Sequence, residues 1–120
     1  MRYLCLIYED EKWWEKATPA DMQQGMAEYN AFTTNIKQNG NYIGGEALQP
    51  TKTAKSVRVR NGKISTTDGP YVETKEQLGG YYLINAKDLN DAVEVAARIP
   101  GAKHGTVEVR PIMEFNQSQT

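Results

Sequence analysis

Thiol and imidazole are scarce in this chain, which has one cysteine and one histidine in 120 residues. The lone Cys5 cannot close an intramolecular disulfide. It lies in an apolar run, where a free cysteine packs as a small hydrophobe, and it suits a reducing compartment. The lone His104 has no second nitrogen or sulfur ligand near it in sequence, which argues against a transition-metal site, so no metal is expected. A Ser/His/Asp set, a Cys-x-x-Cys pair and a glycine-rich phosphate loop are all missing, and no cofactor is expected. Charge of one sign is not in excess either. With 14 basic and 15 acidic side chains the formal net charge is −1, so no summed field draws the chain to a phosphate backbone or an anionic membrane. Nucleic acid and membrane are therefore not expected partners. No apolar run approaches the ~20 residues that cross a bilayer. The start, Met1 to Asp10, meets acids before it could form a signal-peptide core. Together these features lead to the expectation of a cytoplasmic protein.

What is present reads as one small domain over residues 1–115 with a polar tail, 116–120, expected to be disordered. Tyr3 to Tyr8 is a continuously apolar and aromatic run, a central strand covered on both faces. Trp13 and Trp14 follow in a polar connection, where they either anchor the next helix or wall a pocket or interface. Thr18-Pro19-Ala20-Asp21 is a capping box that starts a helix, Asn39-Gly40 stops it, and Met22, Met26, Tyr29, Phe32 and Ile36 form its apolar stripe. A second strand spans 41–48, with Gly44-Gly45 marking a bulge or a close backbone approach, and Glu46 beside them either exposed or facing a pocket. Asn61-Gly62 closes a hairpin between 56–60 and 63–67 that sets Val59 opposite Ile64 and Val57 opposite Thr66. Residues 79–85 form another strand. Asp88 caps a second helix with Leu89, Ala92, Val93, Ala96 and Ile99 as its buried stripe. Thr106 to Phe115 alternates inward Val107, Val109 and Met113 with outward charges. His104, in the loop before that strand, reads as solvated.

The stretch that draws the eye is Asp68-Gly69-Pro70-Tyr71-Val72-Glu73-Thr74-Lys75-Glu76. Gly69 permits positive φ, Pro70 fixes its own φ, and Asp68 is placed to bond backbone amides two residues on. This predicts a rigid turn with a carboxylate at its root. With nucleophiles and metals absent, the remaining chemistry is acid/base work by carboxylates. Asp68, Glu73 and Glu76 would have one raised pKa if buried together. Asp68 is the candidate base, with the hydroxyls of Tyr71 and Tyr8 orienting a substrate. Tyr8, Glu46, Gly69, Pro70, Tyr71 and Glu73 are the candidate ligand-binding residues.

Asp68-Gly69-Pro70-Tyr71 with Glu73-Thr74-Lys75-Glu76 and Leu78-Gly79-Gly80-Tyr81-Tyr82 resembles the signature of the DGPF proteins of the YCII-related group, which usually have Phe where Tyr71 stands. Leu6-Ile7-Tyr8, Gly44 to Pro50, Val57 to Gly62 and Val107 to Pro111 extend the likeness over about residues 1 to 115. The resemblance implies a small, usually dimeric α+β fold of ferredoxin-like type, in a family whose role is mostly unassigned. Related YCII-type enzymes are thought to use a histidine and an aspartate. Here the matching aspartate is Asp68, and no histidine stands at a recognisable position. An association with alternative sigma factors is also implied.

The order of elements is βαββαβ with an inserted hairpin, so the expected fold is ferredoxin-like α+β with both helices on one face of an antiparallel sheet. The uncovered face calls for a second copy, giving a homodimer of the α+β barrel type. Two functions follow as expectations. One is a small-molecule protein with its pocket near the Asp68 turn, cofactor-independent and acting as a lyase or isomerase if it is an enzyme. The other is a non-catalytic interaction or regulatory module.

Overall fold

The computed structural model describes residues 1–115, so the expectation for the tail lies outside the described residues. In chain order the elements are β1 (Arg2–Glu9), α1 (Glu11–Glu15), α2 (Pro19–Gln38), β2 (Tyr42–Ala47), β3 (Lys55–Arg60), β4 (Lys63–Asp68), β5 (Gln77–Asn85), α3 (Leu89–Ala97) and β6 (Thr106–Pro111), with single 3-10 turns at Thr51–Thr53 and Pro100–Lys103. The main sheet has the order β2-β5-β1-β6, and all its neighbours are antiparallel. The fold is α+β and compatible with a ferredoxin-like arrangement. Among the described residues no helix is long and apolar enough to cross a membrane.

Alternation along β1 sets the two sides of the sheet. Tyr3, Cys5, Ile7 and Glu9 are buried while Leu4, Leu6 and Tyr8 on the other side are half-exposed, the period-two pattern of a strand. The buried side meets Phe32 and Ile36 of α2 and Ala92, Val95 and Ala96 of α3, with Ile84 and Ile99, to make the core. At about 25 cal/mol per Å² of apolar surface removed from water, each of the larger aliphatic side chains contributes roughly 1.5 to 3 kcal/mol. Cys5 is fully buried, and burial pushes its thiol up to about 11, so it is an inert packing group.

Local signals are realised as read. The Thr18 hydroxyl accepts from the Asp21 amide and the Asp21 carboxylate accepts from the Thr18 amide, closing the capping box, and Gly40 takes φ +79° after α2. In the hairpin, Asn61 and Gly62 both have positive φ, and the register pairs Val59 with Ile64, Val57 with Thr66 and Arg60 with Lys63. β3 and β4 pair only with each other.

Four expectations are corrected. Asp10 caps a short helix, α1, by accepting from the Lys12 amide, so the two tryptophans are helical and not in an irregular connection. Met22 and Met26 are exposed, because the sheet offers only small residues opposite the first turns of α2. Of the stripe expected in α3, Ala92, Ala96 and Ile99 are buried, but Leu89 and Val93 face outward and Val95 is buried instead. Met113 lies beyond the end of β6 and is exposed.

Candidate functional site

The sheet carries Gly45, Ala47 and Gly80 on the side that faces α2. Gly45 is held against the next strand, since a Cβ there would come within 2.8 Å of the Tyr82 ring and 2.9 Å of the Tyr81 carbonyl oxygen. Gly80 is paired with Ala47 on one side and Ile7 on the other. Three successive small residues leave the first half of α2 with nothing to pack on, and a cavity of about 780 Å³ opens there. Met22, Tyr29 and Thr33 of α2 form one wall, Trp14 of α1 closes an end, and Leu48 to Lys52 form the rim. Its size is in the range of small-molecule sites.

Trp14 occupies this position because its ring packs on Gly25 of α2, where a Cβ would stand 3.3 Å from the indole edge. Thr51 is held by Glu11, whose carboxylate accepts from both its amide, at 2.8 Å, and its hydroxyl, at 2.6 Å. The rim is thereby tied to α1. Tyr82 extends from β5 to Thr33, with 2.7 Å between the hydroxyls, and burial pushes its phenol up against that hydrogen bond.

The polar centre of the cavity wall is Glu9, at the end of β1 and 7% exposed. Its Oε2 accepts from the Trp14 indole at 2.5 Å and its Oε1 from the Tyr29 hydroxyl at 3.3 Å. The Tyr29 oxygen in turn accepts from the Gly101 amide at 3.1 Å. Burial first, and the Glu9 charge second, push the Tyr29 hydroxyl well above the ordinary phenol range, so it stays a neutral donor at any physiological pH. His104 Nε2 lies 3.5 Å from Glu9 Oε2, and the imidazole stacks on Trp13 at 4.4 Å between centroids with planes 13° apart. The two tryptophan rings meet edge to face. Glu9, Trp14 and Tyr29 thus form a carboxylate fixed between two neutral donors, with an imidazole on its outer side.

Of the candidate catalytic and ligand-binding residues, only Glu46 borders this cavity, and its register with Tyr81 turns its side chain to the other side of the sheet. Trp14, expected to anchor a helix or to wall a pocket or interface, does line it. Tyr8 points to the opposite side of the sheet from Ile7 and Glu9. Asp68 ends β4 with 85% of its side chain exposed, in an ion pair with Lys55. Its carboxylate does not cap its own loop; the turn is held instead by the Gly69 amide donating to the Ala54 carbonyl at 2.8 Å and the Ser56 hydroxyl donating to the Gly69 carbonyl at 3.0 Å. Gly69 takes φ +99°, a backbone conformation that glycine adopts without a Cβ clash. Tyr71 is exposed and covered on one face by the Arg58 guanidinium at 5.4 Å. Pro70 and Tyr71 border an open groove along β3. Glu73 is exposed, while Glu76 accepts from the Thr106 hydroxyl, so the three acids of this stretch do not converge.

Sequence reasoning passed over Glu9 and read His104 as solvated; the two are 95 positions apart and carry no motif. One signal was available. Glu9 continues the inward alternation Tyr3, Cys5, Ile7, and a carboxylate in register with a core face needs partners.

The sequence model of the family described as YCII-related domain matches residues 1–116. An uncharacterized protein of Rhizobium meliloti (strain 1021) is 32% identical over 121 residues, covering 99% of this chain and 98% of that protein.

Proposed function

Since the chain belongs to the YCII-related domain family, we propose that it works as a cytoplasmic homodimer that binds a small organic molecule in the cavity between α2 and the β2-β5 edge of the sheet. The observation that carries this reading is the run of Gly45, Ala47 and Gly80 beneath the first turns of α2, which keeps a site-sized space open beside a fixed carboxylate. A space maintained by three small residues and walled by Trp14, Tyr29 and Tyr82 has the composition of a ligand pocket. The ligand therefore sits at the cavity, and the Asp68 turn serves the hairpin.

The dimer reading is supported by the side of the sheet that the helices leave bare. Leu4, Leu6, Tyr8, Tyr81 and Leu83 alternate with core residues and share that side. A row of this kind on a four-stranded sheet is covered in stable proteins, and a second copy presents the matching surface.

One experiment tests both parts. Light scattering at micromolar concentration should give twice the 13.5 kDa chain mass, and Leu6→Lys should give the monomer, since a stable sheet-to-sheet contact buries at least ~1,000 Å². On the same sample, a small-molecule screen read by amide and indole NMR should move the signals of Gly45, Gly80 and Trp14. Shifts confined to Gly69 through Glu73 would return the site to the turn, and a monomer at every dilution would remove the dimer.

A further inference from the structure

The cavity wall carries a carboxylate that the protein itself leaves without a firm cation. Glu9 is almost fully buried, and both of its hydrogen-bond donors, the Trp14 indole and the Tyr29 phenol, are neutral. Among the described residues its one ion-pair contact is His104, at 3.5 Å, too long for a good hydrogen bond and charged only when the imidazole is protonated. A desolvated carboxylate is costly unless a positive group or several donors answer it. The rest of the lining adds to the same field. Glu11 and Glu15 border the space, against a single ammonium, Lys52. Trp14, Tyr29 and Tyr82 line it as well, and aromatic rings attract cations.

We infer that the occupant is a small organic cation, a protonated amine or amidine on an apolar or aromatic body, whose N–H donates to Glu9 while its body lies against Trp14 and Tyr29. An organic acid of the same shape is rejected, because its carboxylate would meet Glu9 in a space with little water to screen the two. This inference rests on the cavity being the ligand site, and it adds the charge of the ligand. It requires no bond to form or break.

The test uses three molecules of one shape on the full chain: 3-phenylpropylamine, 3-phenylpropan-1-ol and 3-phenylpropionate. Binding at pH 7 is measured by calorimetry and by the Trp14 indole N–H signal, distinguished from that of Trp13 with Trp13→Phe. The amine should bind about tenfold or more tighter than the alcohol, as a charge-assisted hydrogen bond in a buried site implies, and the acid should bind weakest. Glu9→Gln, which keeps a carbonyl oxygen for the Trp14 indole, should abolish the preference for the amine over the alcohol. The wild-type series decides the question even if that variant does not fold. If the alcohol binds and the amine is no tighter, or the acid is the tightest, the inference is overturned while the cavity reading stands. If Glu9→Gln keeps the amine preference, the role of Glu9 is overturned. If none of the three binds or moves the indole signal, the cavity reading fails and takes this inference with it.

Discussion

The hairpin with its Asp68 turn and the cavity end of the sheet are built on opposite plans. In β3, β4 and the turn, nearly every residue is exposed, each strand has one partner, and the distinctive residues are adjacent in sequence. Around Glu9, residues from β1, α1, α2, β2, β5 and the loop before β6 converge, each tied by a buried contact to another element. The first plan is local and holds its shape through turn chemistry. The second is global, and its polar groups are desolvated, which is where electrostatic interactions become strong enough to select a ligand.

Three substitutions would sharpen or break that contrast. The largest effect is expected at Gly105→Ala, beside the cavity cluster. A Cβ there would overlap the Tyr8 carbonyl oxygen and crowd Glu9 Cγ, and backbone cannot yield as a flexible side chain does. A loss of about 3 kcal/mol is expected, by the usual cost of overpacking, measured as the shift in urea midpoint. A loss under ~0.5 kcal/mol would show that the loop over Glu9 is loosely held.

A much smaller change is expected at Asp68→Ala. Its ion pair with Lys55 is solvent-exposed on both sides, and such pairs contribute about 0.2 to 1 kcal/mol. The melting temperature should be nearly unchanged. A loss comparable to that at Gly105 would erase the distinction between the two regions.

The smallest effect concerns acid stability. The Glu28 carboxyl is held below its ordinary range by the hydrogen bond from Lys103, with help from Gln24. A carboxyl depressed in the folded state stabilises the protein above its ordinary pKa, and that stabilisation is lost as pH falls through the folded value. Lys103→Met should therefore lower the melting temperature slightly at pH 7 and leave it unchanged at pH 2. A difference that grows toward acid would reverse the assignment.

Much of the fold was legible because it is encoded locally. The capping box at Thr18 and Asp21, the Asn61-Gly62 turn with its cross-strand register, and the Asp88 cap of α3 each involve residues within a few positions of one another. Tertiary choices were less legible. Leu89 and Val93 are as apolar as Val95, and only the angle at which α3 meets the sheet buries one and exposes the others. Glu46 was read as either exposed or facing a pocket; its neighbour Gly45 lies on the cavity side of the sheet, while the register with Tyr81 puts Glu46 on the opposite side. The exposure of Asp68 was not legible, because burial does not follow from a turn motif. His104 was read as solvated because nothing near it in sequence indicates Trp13 or Glu9, which reach it only after β1 and β6 have paired.

That last pairing also sets a timetable for biosynthesis. The first strand made, β1, is the one that must wait, since its two neighbours are β5 and β6 and its registers join Arg2 to Asn85 and Tyr3 to Pro111. At ribosomal speeds of roughly 5 to 20 residues per second, making the ~80 residues up to the end of β5 takes on the order of 4 to 16 seconds, and β6 follows later. Through that interval Tyr3, Leu4, Cys5, Leu6 and Ile7 form an apolar strand with no sheet to join. The hairpin of β3 and β4, by contrast, can close within microseconds of leaving the ribosome. The segment most exposed to chaperones and to misassociation with a neighbouring nascent chain is therefore the one that ends most deeply buried.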